Sequence, residues 1–199
     1  LVMALSAGAP TPAAVDDVPV GRVTVDIVSA NGSGCPVGTT EVEVAADNSE
    51  FALIHRSYVA KVGAGAGATD FRKNCQITLN VKVPSGYTYG IIRADYRGRI
   101  SLAAGAQAWQ GANYYFQGDS VTVKRIHPFQ GPMRDDWATS DTVEPGAVVY
   151  APCNEQRYFN INTHLRVSAG TSGQAASWIS MDSPDRNPNS RYRFAWKRC

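Results

Sequence analysis

Three histidines are the side chains in this sequence most able to do chemistry, but their spacing does not match a catalytic site. Nucleophilic catalysis needs a serine or cysteine beside a histidine base, and the GxSxG elbow that often presents such a serine is absent; residues 170–173 match it only in part. His55, His127 and His164 lie far apart and form neither HExxH nor another metal-ligand spacing. We therefore expect no catalytic residue, no metal and no cofactor. The alternation of apolar and polar residues predicts an inward, hydrogen-bonded His55 and places His164 on the polar face of its strand.

Carboxylate pairs can cleave glycosidic bonds, and several acidic residues lie in segments that we interpret as loops. They are Asp135, Asp136, Asp141, Glu144, Asp182 and Asp185. Acidic residues are common in loops, so we do not assign any of them to an acid and base pair. Residues 182–189 carry many side-chain oxygens that could surround calcium, but the segment lacks the ligand spacing and the glycine of an EF-hand loop. We prefer to interpret it as a polar turn before the last strand.

Aromatic residues crowd the middle third of the chain next to arginine and asparagine. The candidate ligand-binding rings are Tyr87, Tyr89, Trp109, Tyr114 and Tyr115. Exposed rings with polar neighbours could stack against a sugar or anchor a protein partner. The alternative, which we favour, is that most of them pack in the core or in cross-strand pairs.

Four cysteines, Cys35, Cys75, Cys153 and Cys199, form none of the CxxC pairs of zinc or dithiol sites. A disulfide framework is the better interpretation, and it implies an oxidising compartment. Three pairings are possible. We favour Cys35–Cys75 with Cys153–Cys199, because each pair then joins the ends of one half of the chain.

The first twenty residues differ from the remainder and are interpreted as an N-terminal extended arm or a signal-peptide remnant. The arm is rich in proline and alanine, which favours an extended segment outside the domain. We expect its apolar residues Leu1, Val2, Met3 and Leu5 to dock on another chain, since an extended segment can add to a partner protein.

The elements that must position these side chains are β-strands. Residues 77–83 alternate apolar and polar side chains most clearly, and similar alternation marks about ten segments, including 121–123. No segment of ten or more residues has helical apolar spacing. Clusters at 31–34, 63–67 and 96–98 predict turns, with Gly98 at positive φ. The sequence therefore predicts an all-β, antiparallel two-sheet sandwich of Greek-key or jelly-roll type over residues 21–199, stapled by disulfides.

Composition excludes several classes of protein. Hydrophobic residues make up 44% of the 199 residues and charged residues 18%, which suits a folded domain with a lightly charged surface. The net charge of +2 is too small to attract nucleic acid by itself. No apolar run reaches the 18 residues of a membrane span.

Several local motifs together resemble one secreted family. They are NGSGCPVGT at 31–39, DFRKNCQ at 70–76, DYRG at 95–98, NYYFQG at 113–118, FNIN at 159–162 and FAWKRC at 194–199. Over residues 23–199 the chain resembles the domain-of-unknown-function 4360 proteins, which are small exported proteins of streptomycetes and fungi. The resemblance implies export and a cysteine framework, and it brings no agreed activity or catalytic residues.

Three functions of different classes are compatible with these observations. The first expectation is a secreted, non-catalytic interaction module, an adaptor or subunit of an exported assembly that docks on another secreted protein through the arm. The alternative is a carbohydrate or cell-wall binding domain that uses the aromatic residues. The second alternative is an unrecognised extracellular hydrolase or a proteinaceous inhibitor of one.

Overall fold

A computed structural model describes residues 18–119, 123–182, 185 and 187–199. These residues contain twelve strands and two short 3-10 helices, Pro145–Ala147 and Gly170–Ser172. The strands are β1 (Thr24–Asn31), β2 (Thr40–Val44), β3 (Glu50–His55), β4 (Val59–Val62), β5 (Arg72–Lys82), β6 (Tyr87–Leu102), β7 (Gln107–Phe116), β8 (Val123–Gln130), β9 (Met133–Thr142), β10 (Phe159–Ser168), β11 (Ser177–Ser180) and β12 (Ser190–Arg198). No helix among the described residues is long and apolar enough to cross a membrane.

The strands form two antiparallel sheets that pack as a sandwich, which confirms the predicted fold class. The five-stranded sheet has the order β1-β5-β10-β7-β8. The seven-stranded sheet has the order β2-β3-β12-β6-β11-β4, and β9 pairs with the free edge of β6. A two-residue turn joins β8 to β9 and so links the edges of the two sheets.

Alternation along the strands sets which side chains enter the core. In β5, Ile77, Leu79 and Val81 are at most 2% exposed, while the intervening Thr78 and Asn80 face outward. The neighbouring β10 repeats this pattern in register, with Ile161 opposite Ile77. Full burial of one such aliphatic side chain contributes about 1.5–3 kcal/mol, so a one-residue slip of a strand would be costly.

Two segments differ from the sequence prediction. Asp135, Asp136 and Asp141 lie in β9, not in loops. β9 was not recognised because Trp137 is its only large buried apolar residue and the alternation is weak. Gly98 lies inside β6 and does not have the positive φ that a turn would require.

A close approach of strands explains why residue 98 is glycine. A Cβ on Gly98 would lie 1.8 Å from the backbone oxygen of Ser180 and 2.9 Å from Nε1 of Trp137. That indole nitrogen donates hydrogen bonds to the carbonyls of Ser180, at 3.1 Å, and Arg99, at 3.2 Å. The absence of a side chain at residue 98 therefore allows Ser180 of β11 and Trp137 of β9 to pack closely against β6.

Two disulfides, Cys35–Cys75 and Cys153–Cys199, staple the sandwich, and they are the two pairs favoured from the sequence. Cys35 and Cys75 are fully buried, and their bond ties the loop after β1 to β5. Cys153 and Cys199 are exposed. The second bond ties the end of β12 to the segment before β10.

Candidate ligand-binding face

The outer surface of the five-stranded sheet carries amides, hydroxyls, rings and cations, and we call it the amide face. It comprises the outward residues of β5, β10, β7 and β8: Arg72, Asn74, Gln76, Thr78, Asn80, Lys82, Asn160, Asn162, His164, Arg166, Ser168, Gln107, Trp109, Gly111, Asn113, Tyr115, Lys124, Ile126, Pro128 and Gln130. None of these outward residues is acidic. Such a face offers many hydrogen-bond donors and acceptors, and the adjoining carboxylate of Asp26 on β1 is paired with Lys82.

The centre of this face is an amide rung, formed by Gln76, Asn162 and Asn113 on three adjacent strands. Asn162 is the register partner of Gln76 on β5 and of Asn113 on β7. Neighbouring strands lie about 4.8 Å apart, so the three amide groups form a continuous row. Among the described residues, none of these three side chains has a hydrogen-bond partner, which leaves their donors and acceptors free for a ligand.

Other amides on the same face are already engaged. Thr78 Oγ1 donates to Asn160 Oδ1 at 2.9 Å, and Gln107 Nε2 donates to Gln130 Oε1 at 3.0 Å. Asn80 accepts a hydrogen bond from outside the face. The free hydrogen-bonding capacity is therefore concentrated in the amide rung.

Three rings surround the amide rung. His164 packs closely against Gly111, its register partner: a Cβ on that glycine would lie 2.2 Å from Cε1 of the imidazole. Trp109 and Tyr115 are partly exposed at opposite ends of β7. Six residues of strand separate the two rings by about 20 Å, a span that suits an extended ligand better than a single small molecule.

Three cations, Arg72, Arg166 and Lys124, lie around His164, and we call them the cationic group. The guanidinium carbon of Arg166 is 5.6 Å from the centre of the Trp109 ring, within cation–π range. Burial lowers the pKa of His164, and the positive charges of Arg72 and Lys124 lower it further. The imidazole is therefore neutral at neutral pH, and the positive charge belongs to the cationic group.

A second polar cluster lies inside the sandwich, where β8 meets β9. His127 Nε2 donates to Asp141 Oδ1 at 2.7 Å, and the carboxylate is only 1% exposed. Burial raises the pKa of Asp141, although the hydrogen bond from His127 opposes this shift. Burial likewise raises the pKa of Tyr114 to about 12, and the charge of Asp141 adds to that rise. Among the described residues no serine or cysteine hydrogen-bonds to His127, so the pair links two sheet edges without a nucleophile.

Comparison with known proteins identifies the family of the chain. A family model for a domain of unknown function, DUF4360, matches residues 21–199. The chain belongs to the DUF4360 family. An uncharacterized secreted protein of Arthroderma benhamiae is 31% identical to it over 178 residues, covering 89% of this chain and 72% of the relative. With its two disulfides, this DUF4360 protein is a secreted protein, as the sequence predicts.

Among solved structures, the DUF4360 chain is similar to the enzymatically active domain of tailspike protein 4 from bacteriophage CBA120. The identity is 12% and the TM-score is 0.25, with 92% of this chain and 20% of the tailspike chain covered. A TM-score of this size carries no argument about function.

The structure separates the five candidate rings of the DUF4360 chain. Trp109 and Tyr115 lie on the amide face, as a ligand-binding role requires. Tyr89 and Tyr114 are 3% and 5% exposed, so these two rings follow the favoured alternative and pack in the core instead of offering a surface for a ligand. They face inward on β6 and β7 and pack against other rings. Tyr87 is half-buried on the other sheet, where Arg198 lies 5.4 Å from its ring.

The histidine predictions and the acidic segment have different outcomes. His55 is buried with Nδ1 3.2 Å from Thr40 Oγ1, and His164 lies on the polar face of β10; both predictions are confirmed. Asp182 and Asp185 line a cavity with Asp136, but no three His, Cys, Asp or Glu side chains of the described residues lie close enough to hold a metal ion. The proposed arm contacts Leu1, Val2, Met3 and Leu5 lie outside the described residues, and docking through the arm stays a prediction.

Sequence reasoning missed the amide rung. Its residues occupy the polar positions of predicted strands, and the alternation pattern by itself indicates only that such positions face solvent. The available signal was the residue type: outward positions of β5 and β10 carry asparagine, glutamine and threonine more often than the lysine and glutamate of an ordinary solvated face.

Proposed function

We propose that this DUF4360 domain is a non-catalytic binding module and that its ligand is a glycan held on the amide face. The observation that carries the proposal is the amide rung, whose side chains have no partner among the described residues, flanked by the rings of Trp109 and Tyr115. Amide groups donate and accept at the same time, which suits the neighbouring hydroxyl groups of a sugar. Aromatic faces pack against the apolar C–H faces of sugar rings.

The amide face suits a glycan better than a protein partner. Protein interfaces are organised around buried apolar and aromatic anchors in well-packed pockets. The clearly exposed large aliphatic residue on this face is Ile126, which is 49% exposed and lies on the edge strand opposite Gly111. A flat, polar surface with separated rings matches an extended polysaccharide.

The interior pair of His127 and Asp141 does not compete with this proposal. A hydrolase of the serine type needs a nucleophile that hydrogen-bonds to the histidine. In the described part of the chain, His127 has Asp141 as its side-chain partner. We therefore propose a binding role for the chain and a structural role for the pair.

Polysaccharide binding by matched variants tests the proposal. The chain is sedimented with insoluble chitin, cellulose and peptidoglycan and run in affinity gels with soluble neutral and acidic polysaccharides. Asn162→Ala and Trp109→Ala are each expected to weaken binding about tenfold, which is about 1.4 kcal/mol. Gln130→Ala is the control, because Gln130 lies on the same face but is bonded to Gln107. The proposal fails if the wild-type chain binds no polysaccharide or if the first two variants bind as tightly as the control.

A further inference from the structure

We propose that the glycan is acidic: the amide face binds a polysaccharide that carries carboxylates on its sugar rings, and the cationic group Arg72, Arg166 and Lys124 contacts those carboxylates. This inference rests on the glycan-binding function proposed above. It adds the chemical class of the ligand.

The cationic group is the part of the amide face whose charge is not balanced. Lys82, the remaining cation there, lies 3.4 Å from Asp26 of β1. No ion pair with a carboxylate of the described residues is formed by any of the three members of the cationic group, Arg72, Arg166 and Lys124. An anion from outside the domain is therefore the natural counterpart of this group.

The two arginines are placed so that they repel one another without a ligand. Arg72 and Arg166 are direct register partners on β5 and β10. Like charges directly opposite each other destabilise a sheet, and a carboxylate between them would remove that penalty. A guanidinium also binds a carboxylate through two parallel hydrogen bonds. Arg166 lies over Trp109, which restricts the guanidinium and lowers the entropy that binding would cost.

The spread of charge matches a polymer better than a single anion. Arg166 lies in the rung of Trp109, whereas Lys124 is the register partner of Asn113 in the amide rung. The two rungs are four residues apart along β7, which is about 13 Å along the strand direction. One small anion cannot contact both positions. A chain of uronic acid rings presents carboxylates at intervals and hydroxyl groups between them, which is the pattern of this face.

The test compares a polyuronate with its uncharged ester. Polygalacturonate and fully methyl-esterified polygalacturonate share the same sugar chain, and a neutral β-glucan completes the set. Titration calorimetry at low salt without calcium is expected to show at least tenfold tighter binding of the polyuronate than of the ester. Raising NaCl to about 1 M reduces the screening length to about 3 Å and is expected to remove most of this preference.

Arginine variants locate the effect on the amide face. Arg72→Gln and Arg166→Gln are each expected to weaken polyuronate binding about tenfold and to weaken binding of the ester much less, because the ester offers the guanidinium no carboxylate. Arg166→Lys, which keeps the charge but loses the two-point geometry, is expected to weaken polyuronate binding less than Arg166→Gln. Arg99→Gln removes the same charge from the exposed face of the other sheet and is the matched control. Circular dichroism verifies that each variant is folded.

The possible outcomes separate the two proposals. Equal binding of the polyuronate and the ester overturns the acidic ligand and leaves glycan binding intact. Tighter binding of single-stranded DNA or of anionic phospholipid vesicles than of polygalacturonate also overturns it. Unchanged polyuronate binding by both Arg72→Gln and Arg166→Gln also overturns the acidic ligand. Absence of binding to every polysaccharide overturns both proposals.

Discussion

The two outer faces of the sandwich use polar side chains in opposite ways. On the seven-stranded sheet, charged residues pair with one another: Arg93 Nε donates to both carboxylate oxygens of Asp95 at 2.9 Å, and Arg191 pairs with Glu50. On the amide face, the side chains of the amide rung have no hydrogen-bond partner and the cationic group has no carboxylate partner among the described residues. The comparison shows that a polar surface is not by itself a binding face. A binding face has polar side chains without hydrogen-bond partners and charged side chains without ion-pair partners.

Loss of the buried disulfide should have the largest effect, and it concerns the amide face. The Cys35–Cys75 bond closes a loop of 40 residues and anchors the start of β5. The double variant Cys35→Ala/Cys75→Ala is expected to lose about 4 kcal/mol of unfolding free energy by the chain-entropy model. Urea unfolding measures it. The Cys153→Ala/Cys199→Ala variant is the comparison. If this variant retains glycan binding and the Cys35→Ala/Cys75→Ala variant loses it, the binding site lies next to β5.

The disulfide prediction has a clear contrary result. If the Cys35→Ala/Cys75→Ala variant lost less than about 1 kcal/mol, the buried bond would not be what holds β5 in place. Non-reducing peptide mapping of the wild-type chain provides the control, because it must find these two pairs and no free thiol.

Two glycines distinguish a rigid contact from an adaptable one. On Gly98, an added methyl group meets the backbone of Ser180, which cannot move away without breaking the sheet. Gly98→Ala is therefore expected to cost about 3 kcal/mol. On Gly111, the methyl group meets the His164 side chain, which can rotate. Gly111→Ala should cost about 1 kcal/mol or less and should weaken glycan binding instead. Equal losses of stability in thermal unfolding would contradict this contrast.

The buried His55 makes stability depend on pH, unlike the exposed ion pairs of the seven-stranded face. Burial lowers its pKa from 6.5 to about 4. Between these values the unfolded chain binds a proton that the folded chain does not, so stability is lost as the pH falls from 6.5 towards 4. The loss from this group is about 3 kcal/mol. Denaturant unfolding at pH 7.5 and 4.5 should show a smaller decrease for His55→Gln than for the wild-type chain.

The pair of His127 and Asp141 joins the edges of the two sheets and should have an intermediate effect. His127→Ala leaves the buried carboxylate without its donor, which we expect to cost about 2 kcal/mol, since His127 is 27% exposed. Burial raises the folded pKa of Asp141, so its contribution to stability is present in acid and is lost as the pH rises through that pKa. His127→Ala should enlarge this loss. The double variant with Asp141→Asn should recover part of the stability, and a further decrease would refute the pairing.

The ion pairs of the seven-stranded face should have the smallest effect. Arg93 is 47% exposed and Asp95 is 37% exposed, so solvent screens their attraction. A double-mutant cycle with Arg93→Gln and Asp95→Asn is expected to give a coupling below about 1 kcal/mol. Glycan binding should be unchanged in both variants. A loss of binding would move the site to this face and remove the contrast between the two surfaces.

The sequence by itself determined the all-β class, the cysteine framework and the inward or outward direction of most strand residues. These properties follow from alternation and spacing, which are local. It did not reveal β9, because Trp137 is the one large apolar side chain that this strand buries. It also assigned Gly98 to a turn, because a glycine required by the backbone of a distant strand has the same local signature as a turn glycine.

Only the tertiary structure decided which side chains share a surface. Gln76, Asn113 and Asn162 are separated by dozens of residues, and the register of three strands brings them into one row. The same folding buries Tyr114 and leaves Tyr115 at the surface, although the two are adjacent tyrosines. Strand register and sheet order depend on contacts between distant segments, so residue type alone cannot specify them.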